Sequence, residues 1–163
     1  MSTKPKPVDH GHLEAIRTIG HGRSGHWPTV EKKFRAVHPQ CVCCIVKSVK
    51  HIQIHHRFPF HYAIALGRPD LELDPRNLIT LCEWPSHTSP DHHLLIGHLE
   101  NFQSSNTDVA SDAMLFRGMS EAEIKKDARW IKKVAERLVP LDKMTAKDKA
   151  SFTKSMNAAF PKK

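Results

Sequence analysis

Hydrophobic and polar positions divide the chain into short elements. Trp27-Pro28 opens a predicted helix in which Val30, Phe34 and Val37 recur on one face, until His38-Pro39 stops it. Residues 51–54 alternate as a strand does, and residues 77–82 read as a second strand. Between the two, residues 57–76 form an irregular connection of 20 residues, a length that in a compact domain usually carries function. A helix is predicted over HHLLIGHLENF, beginning near Asp91, which suits an N-cap. Ser120 and Glu123 form a capping box for another helix, whose stripe of Ile124, Ala128, Ile131, Ala135 and Leu138 ends before Pro140. A last helix is predicted over residues 145–159, with Phe152, Met156 and Ala159 as its apolar face. So few large apolar residues predict weak docking. Strands and helices mix, which makes the chain α+β.

Charge refines this outline. The net charge is +8 and the pI about 9.5, a balance that suits a polyanionic partner. It is unevenly spread: the middle of the chain is slightly acidic, and basic segments flank it. Residues 1–26, rich in Pro, Gly, His and Lys with one weak apolar patch (LEAIRTI), read as a flexible basic arm. Residues 27–110 form the histidine-rich middle, and residues 111–163 a basic helical extension that is expected to serve affinity more than catalysis. All 13 histidines precede residue 99, which marks the middle segment as the site. The opening residues MSTKPKPVDHGH hold no apolar run. Neither a signal peptide nor a membrane span is therefore expected, and the expected location is cytoplasmic.

Two sets of metal-ligating residues fall in the middle segment. Three of the four cysteines sit in QCVCC, a poor disulfide framework but a common zinc arrangement. Cys41 and Cys44 in C-x-x-C spacing let two thiolates from one tight turn reach a zinc ion. Cys82, closing the second strand, is the expected third ligand and His92 the fourth, with His87 as a rival; Cys43 is left to packing. The second set is His55, His56, Asn77 and His93, with His98 as a further candidate ligand. His55 and His56 are neighbours at a strand end, so they point to opposite faces and should have separate tasks.

The run IHHRFPF, then LELDPRNLITLC, then HHLLIGHLENFQSSN resembles the HNH endonuclease family over about residues 27–106. The resemblance implies a ββα-metal (HNH) core with a zinc knuckle, flanked by helices on its N- and C-terminal sides, and makes residues 27–110 an HNH nuclease domain. By the same resemblance His55 and His93 are ligands of a catalytic divalent ion (Mg²⁺, Mn²⁺, Ni²⁺ or Zn²⁺), and His56 is the general base. Asn77 would hold that base or its loop in place. His98 lies five residues after His93, about 140° round an ideal helix. A structural or supporting role is therefore expected for it, and a ligand role only if the helix starts late or bends near Gly97. Where many relatives end in Cys-His this chain has His92-His93, so either a histidine is the fourth zinc ligand or the zinc site is absent. Arg57, Lys132 and Lys133 are candidate nucleic-acid contacts. The implied activity is hydrolysis of DNA phosphodiester bonds, with double-stranded DNA as partner. The alternatives are a zinc-stabilised protein of the same fold that binds nucleic acid without cutting it, and a metal store or protein-interaction module. Target sequence, RNA acceptance, native ion and oligomeric state stay open at this stage.

Overall fold

The computed structural model describes residues 22–45, 51–83 and 91–162. Most of the N-terminal arm and His87 lie outside them. Helix α1 (Trp27–Val37) starts with Pro28 in its first turn and ends where the His38 N–H returns to the Phe34 carbonyl. Strands β1 (Ile52–His56) and β2 (Leu78–Cys82) form a two-stranded antiparallel sheet with Ile52 opposite Cys82, His55 opposite Ile79 and His56 opposite Leu78. The long connection between them is less irregular than its sequence predicts. It holds helix α2 (Phe60–Ala65) and two 3₁₀ turns, Pro69–Glu72 and Pro75–Asn77. The segment FHYAIA buries Phe60, His61, Tyr62 and Ala63 together, so it has no polar face to betray a helical period. Helices α3 (Val109–Leu115), α4 (Glu121–Lys126), α5 (Ala128–Ala135) and α6 (Ala146–Ala159) complete the chain. The described residues thus mix helices with a small antiparallel sheet, an α+β arrangement. No helix among them is long and apolar enough to cross a membrane.

Pairing puts the two faces of the sheet to different use. Ile54, Leu78 and Trp27 of α1 form one apolar cluster, with Val30, Phe34 and Leu73 packed against it. Ile79 and Leu81 belong to the main core with Leu95, Ile96, Val109, Phe116, Ile124 and Trp130. His55 pairs with Ile79, and His56 with Leu78. The doublet therefore faces both clusters, one ring each.

Three predicted helices differ from their expectation. Residues 93–97 form a single π turn (His93–Gly97), not a long helix, and Leu99 and Glu100 close it at φ of 51° and 62°. Asp91 caps that turn as expected, accepting the Leu94 N–H at 2.9 Å. The helix predicted over residues 120–138 keeps its capping box but breaks at Asp127, whose side chain caps α5. The break shifts the helical phase, so Trp130 is buried while Ile131 of the predicted stripe is 51 % exposed. Helix α6 docks firmly: Phe152, Met156 and Phe160 are buried against Phe58, Tyr62 and Leu71. Its end is held by Arg68, a side chain only 1 % exposed, which donates to the Phe160 carbonyl (2.8 Å) and Asn157 Oδ1 (2.7 Å) and pairs with Asp70 (2.8 Å). The basic extension is therefore structural as well as cationic.

Arg68→Ala would leave the Phe160 carbonyl without this donor and remove the link between the β1–β2 connection and α6. Urea unfolding should show a loss on the order of 2 kcal/mol, since hydrogen bonds to charged groups contribute about 1.5–3 kcal/mol each. An unchanged midpoint would show that the link is not needed.

Candidate functional site

Cys41, Cys44, Cys82 and His92 offer ligand atoms that all lie within 4.8 Å of one another. The Val42 N–H donates to Thr80 of β2 at 3.0 Å, which lays the C-x-x-C turn against the strand that ends in Cys82. Bonds of about 2.3 Å to sulfur and 2.0–2.1 Å to nitrogen in a tetrahedron place two sulfurs roughly 3.8 Å apart and sulfur and nitrogen roughly 3.6 Å apart. Here Cys44 Sγ is 3.8 Å from Cys82 Sγ, and His92 Nδ1 is 3.1, 3.4 and 3.5 Å from the sulfurs of Cys82, Cys44 and Cys41. The set therefore fits zinc in size and in chemistry. The backbone N–H of His92 also points at Cys82 Sγ (3.3 Å), an orientation that favours negative charge on the sulfur. The thiols of Cys44 and Cys82, with His92 adding to them, hold Cys41 well below the ordinary cysteine range, while Cys41 and Cys44, and after them burial, push Cys82 well above it. Cys43 stands apart. Burial, reinforced by Cys41 and Cys44, raises its pKa, so it stays a thiol and donates to the Phe116 carbonyl at 3.6 Å.

His55, His93 and His98 form a second set, again with ligand atoms within 4.8 Å of one another. Their ring centroids are 4.8–5.2 Å apart, and each pair meets edge to face. His98 belongs here because the turn is π. Its i→i+5 closure stacks residues five apart, where an α-helix would separate them. His98 Nδ1 must donate to Ser104, because the carbonyl 2.8 Å away can only accept. That tautomer turns the Nε2 lone pair of His98 toward His93 Nε2 at 3.3 Å. His55 Nε2 is buried and has no hydrogen-bond partner among the described residues. Burial, and after it the neighbouring His98 and His93, push the His55 pKa well below its ordinary value, which keeps the ring neutral and its lone pair available. Convergent nitrogen lone pairs with an orphaned buried nitrogen fit a divalent cation. Gly97 makes room for this: a Cβ there would stand 3.1–3.3 Å from the His55 ring atoms.

His56 is buried on the opposite face. Its Nε2 lies 2.7 Å from the Glu72 carbonyl and must donate to it, which leaves the lone pair of the neutral ring on Nδ1. Trp27 packs 4.7 Å and Phe60 5.8 Å from the same ring. Asn77 is fully buried and bonds the loop on both sides of this contact. Its Oδ1 accepts from the Phe58 N–H (2.9 Å), and its Nδ2 donates to the carbonyls of Phe58 (3.0 Å) and Leu71 (2.9 Å). Phe58 lies two residues after His56, and Leu71 directly before Glu72. Asn77 thus acts on His56 through the backbone that orients it.

Sequence reasoning brought the Cys41, Cys44, Cys82 and His92 set together correctly, and placed His55 with His93. It undervalued His98, because a π turn leaves no periodic signal in five residues. It named Gly97 as a possible bend but missed the room that it leaves for His55, and it missed Ser104 and Arg23, whose guanidinium lies 4.4 Å from the Trp27 ring and 4.2 Å from the Phe60 ring. Arg57 sits over Phe160 and donates to the Arg76 carbonyl (3.3 Å), while Lys132 is exposed. Lys133, a further candidate, is paired with Asp108 (2.9 Å) and Asp112 (2.7 Å). His51 is exposed and His61 packs on Tyr62; neither joins a cluster. Comparison with protein-family models, with curated proteins and with solved structures finds no match for this chain.

Two outcomes follow. Elemental analysis of the purified protein should find tightly held zinc, and Cys82→Ser should remove it; unchanged zinc content in the variant would exclude Cys82 as a ligand. Gly97→Ala should crowd the His55 ring and lower metal affinity at the histidine set by about tenfold or more, the usual penalty for disturbing the support of a ligand. Calorimetric titration measures it, and equal affinity would show that the His55 ring can give way.

Proposed function

We propose that the protein is a metal-dependent endonuclease of HNH type that hydrolyses DNA phosphodiester bonds. The observation that carries this reading is the split of the histidine doublet across β1, with His55 among His93 and His98, and His56 oriented by Glu72 on the other face. A protein that only stores metal has no use for the second arrangement. The two strands, the connection carrying Asn77 and the turn carrying His93 would then be the ββα-metal core, and the cysteine set its zinc knuckle.

A divalent ion held by His55, His93 and His98 would supply positive charge for the phosphate and the leaving oxygen. Three imidazoles suit Zn²⁺ or Ni²⁺ better than Mg²⁺, which prefers oxygen ligands. His56, whose lone pair lies on Nδ1 in the neutral ring, takes the proton of the attacking water as the new P–O bond forms. The bond to the leaving oxygen breaks in turn, and that oxygen gains a proton from solvent. The Glu72 carbonyl helps here as well, because it stabilises the Nε2–H of the imidazolium that results. Asn77 keeps Phe58 and Leu71 in place, so the ring does not have to be oriented anew in each cycle. Arg23 and Arg57, each stacked on an aromatic ring, are the candidate cations for the phosphate backbone.

Supercoiled plasmid incubated with the protein and Mn²⁺, Ni²⁺, Zn²⁺ or Mg²⁺ should be nicked or linearised, and EDTA should prevent it. His56→Ala should slow cleavage by about 10²–10⁴-fold, the usual contribution of a general base. Plasmid that is retarded on a gel yet intact with every ion would replace this reading by binding without cleavage.

A further inference from the structure

The turn that carries His93 and His98 is wider than an α-helix, and the bonds around it show what keeps it so. In an α-helical continuation the carbonyls of Ile96 and Gly97 would receive the N–H groups of Glu100 and Asn101. Those two donors go elsewhere, Glu100 to Leu94 (3.0 Å) and Asn101 to His98 (3.0 Å). Asn106 takes their place. Its Nδ2 donates to the Ile96 carbonyl (3.0 Å) and its backbone N–H to the Gly97 carbonyl (3.0 Å). The residue is only 4 % exposed and is itself held from behind. Its Nδ2 also donates to Asp112 Oδ2 (2.7 Å), its Oδ1 accepts the Asp108 N–H (3.0 Å), and Lys133 Nζ bridges Asp108 and Asp112.

We propose that Asn106, backed by Asp112 and Lys133, is a positioning residue that holds the 93–98 turn in its wide form and so brings His98 in as the third nitrogen ligand. The inference rests on the reading that the three histidines hold a metal ion. Without the Asn106 amide the Ile96 carbonyl is left unsatisfied in the core. The least costly replacement donor is the Glu100 N–H, which would tighten the turn toward an α-helix. Tightening swings His98 away from His93 and leaves a two-histidine site. The basic extension thereby contributes to the metal site from a distance, through α3 and α5.

Cobalt titration of the full chain tests this, because the two sites report separately: cysteine-bound Co²⁺ gives an intense thiolate charge-transfer absorption, whereas nitrogen-bound Co²⁺ gives only weak d–d bands. Wild type should take up two equivalents. Asn106→Ala should keep the thiolate band, lose about 10–100-fold in affinity for the second equivalent, as support residues of metal ligands do, and alter its d–d bands. In the Asn106→Ala background, His98→Ala should cost little more, since the two changes remove the same ligand. Unchanged affinity and d–d bands in Asn106→Ala would overturn the proposal, and so would full additivity with His98→Ala. Should Asn106→Ala lose the thiolate band too, Lys133→Met, which leaves the Asn106 bonds in place, takes over the test. A weakened second site supports the proposal, and an unaltered one overturns it. If wild type binds only the cysteine-held equivalent, it is the metal reading of the histidines that fails.

Discussion

The pleat of β1 is the constraint on which the rest depends. Consecutive side chains of a strand leave opposite faces, so a doublet at a strand end divides its two rings between two environments. The pairing with β2 fixes which ring goes where: His55 lies opposite Ile79, toward the main core and the π turn, and His56 opposite Leu78, toward Trp27. A slip of one residue would exchange them. A two-stranded sheet is too small to hold its register alone, and here each face is covered, one by α1 and the other by the turn and α3.

The turn repeats the same device. His92 and His93 are adjacent, yet His92 Nδ1 joins the cysteines while His93 joins His55 and His98. The two sets therefore share a peptide bond, and the fourth corner of the cysteine cluster fixes where the histidine cluster begins. Cys82, opposite Ile52 in the sheet, anchors both to β2. A cation at the cysteines would thus order one flank of the histidine site as well as the knuckle.

Buried polar residues complete the arrangement, and each does so by serving backbone that no regular element serves. Asn77 satisfies Phe58 and Leu71, Asn106 satisfies Ile96 and Gly97, and Arg68 satisfies Phe160. Short, irregular segments around a site leave carbonyls and amides unpaired, and in a water-poor interior these need side-chain partners. Two of the three bind the C-terminal helices into the fold: Asn106 through Asp112 and Lys133, and Arg68 through the end of α6. The extension that its composition presents as a charged tail is part of the core.

The order of the ligands along the chain determined much by itself. C-x-x-C spacing, a cysteine closing a strand and a histidine heading the next turn suffice to assemble the cysteine set, because a metal-ligand set is a matter of donor type and short-range reach. The alternation of residues 51–56 likewise determined that His55 and His56 part company. Tertiary structure alone decided that His98 is a member of the site, that Lys133 pairs with Asp108 and Asp112 and that α6 docks. Each of these turns on a competition the sequence does not record: α against π closure of a five-residue turn, carboxylate against solvent for an ammonium, and Phe58 against water for Phe152 and Phe160. Local periodicity names the candidates for such contests, and only the three-dimensional neighbours choose the winner.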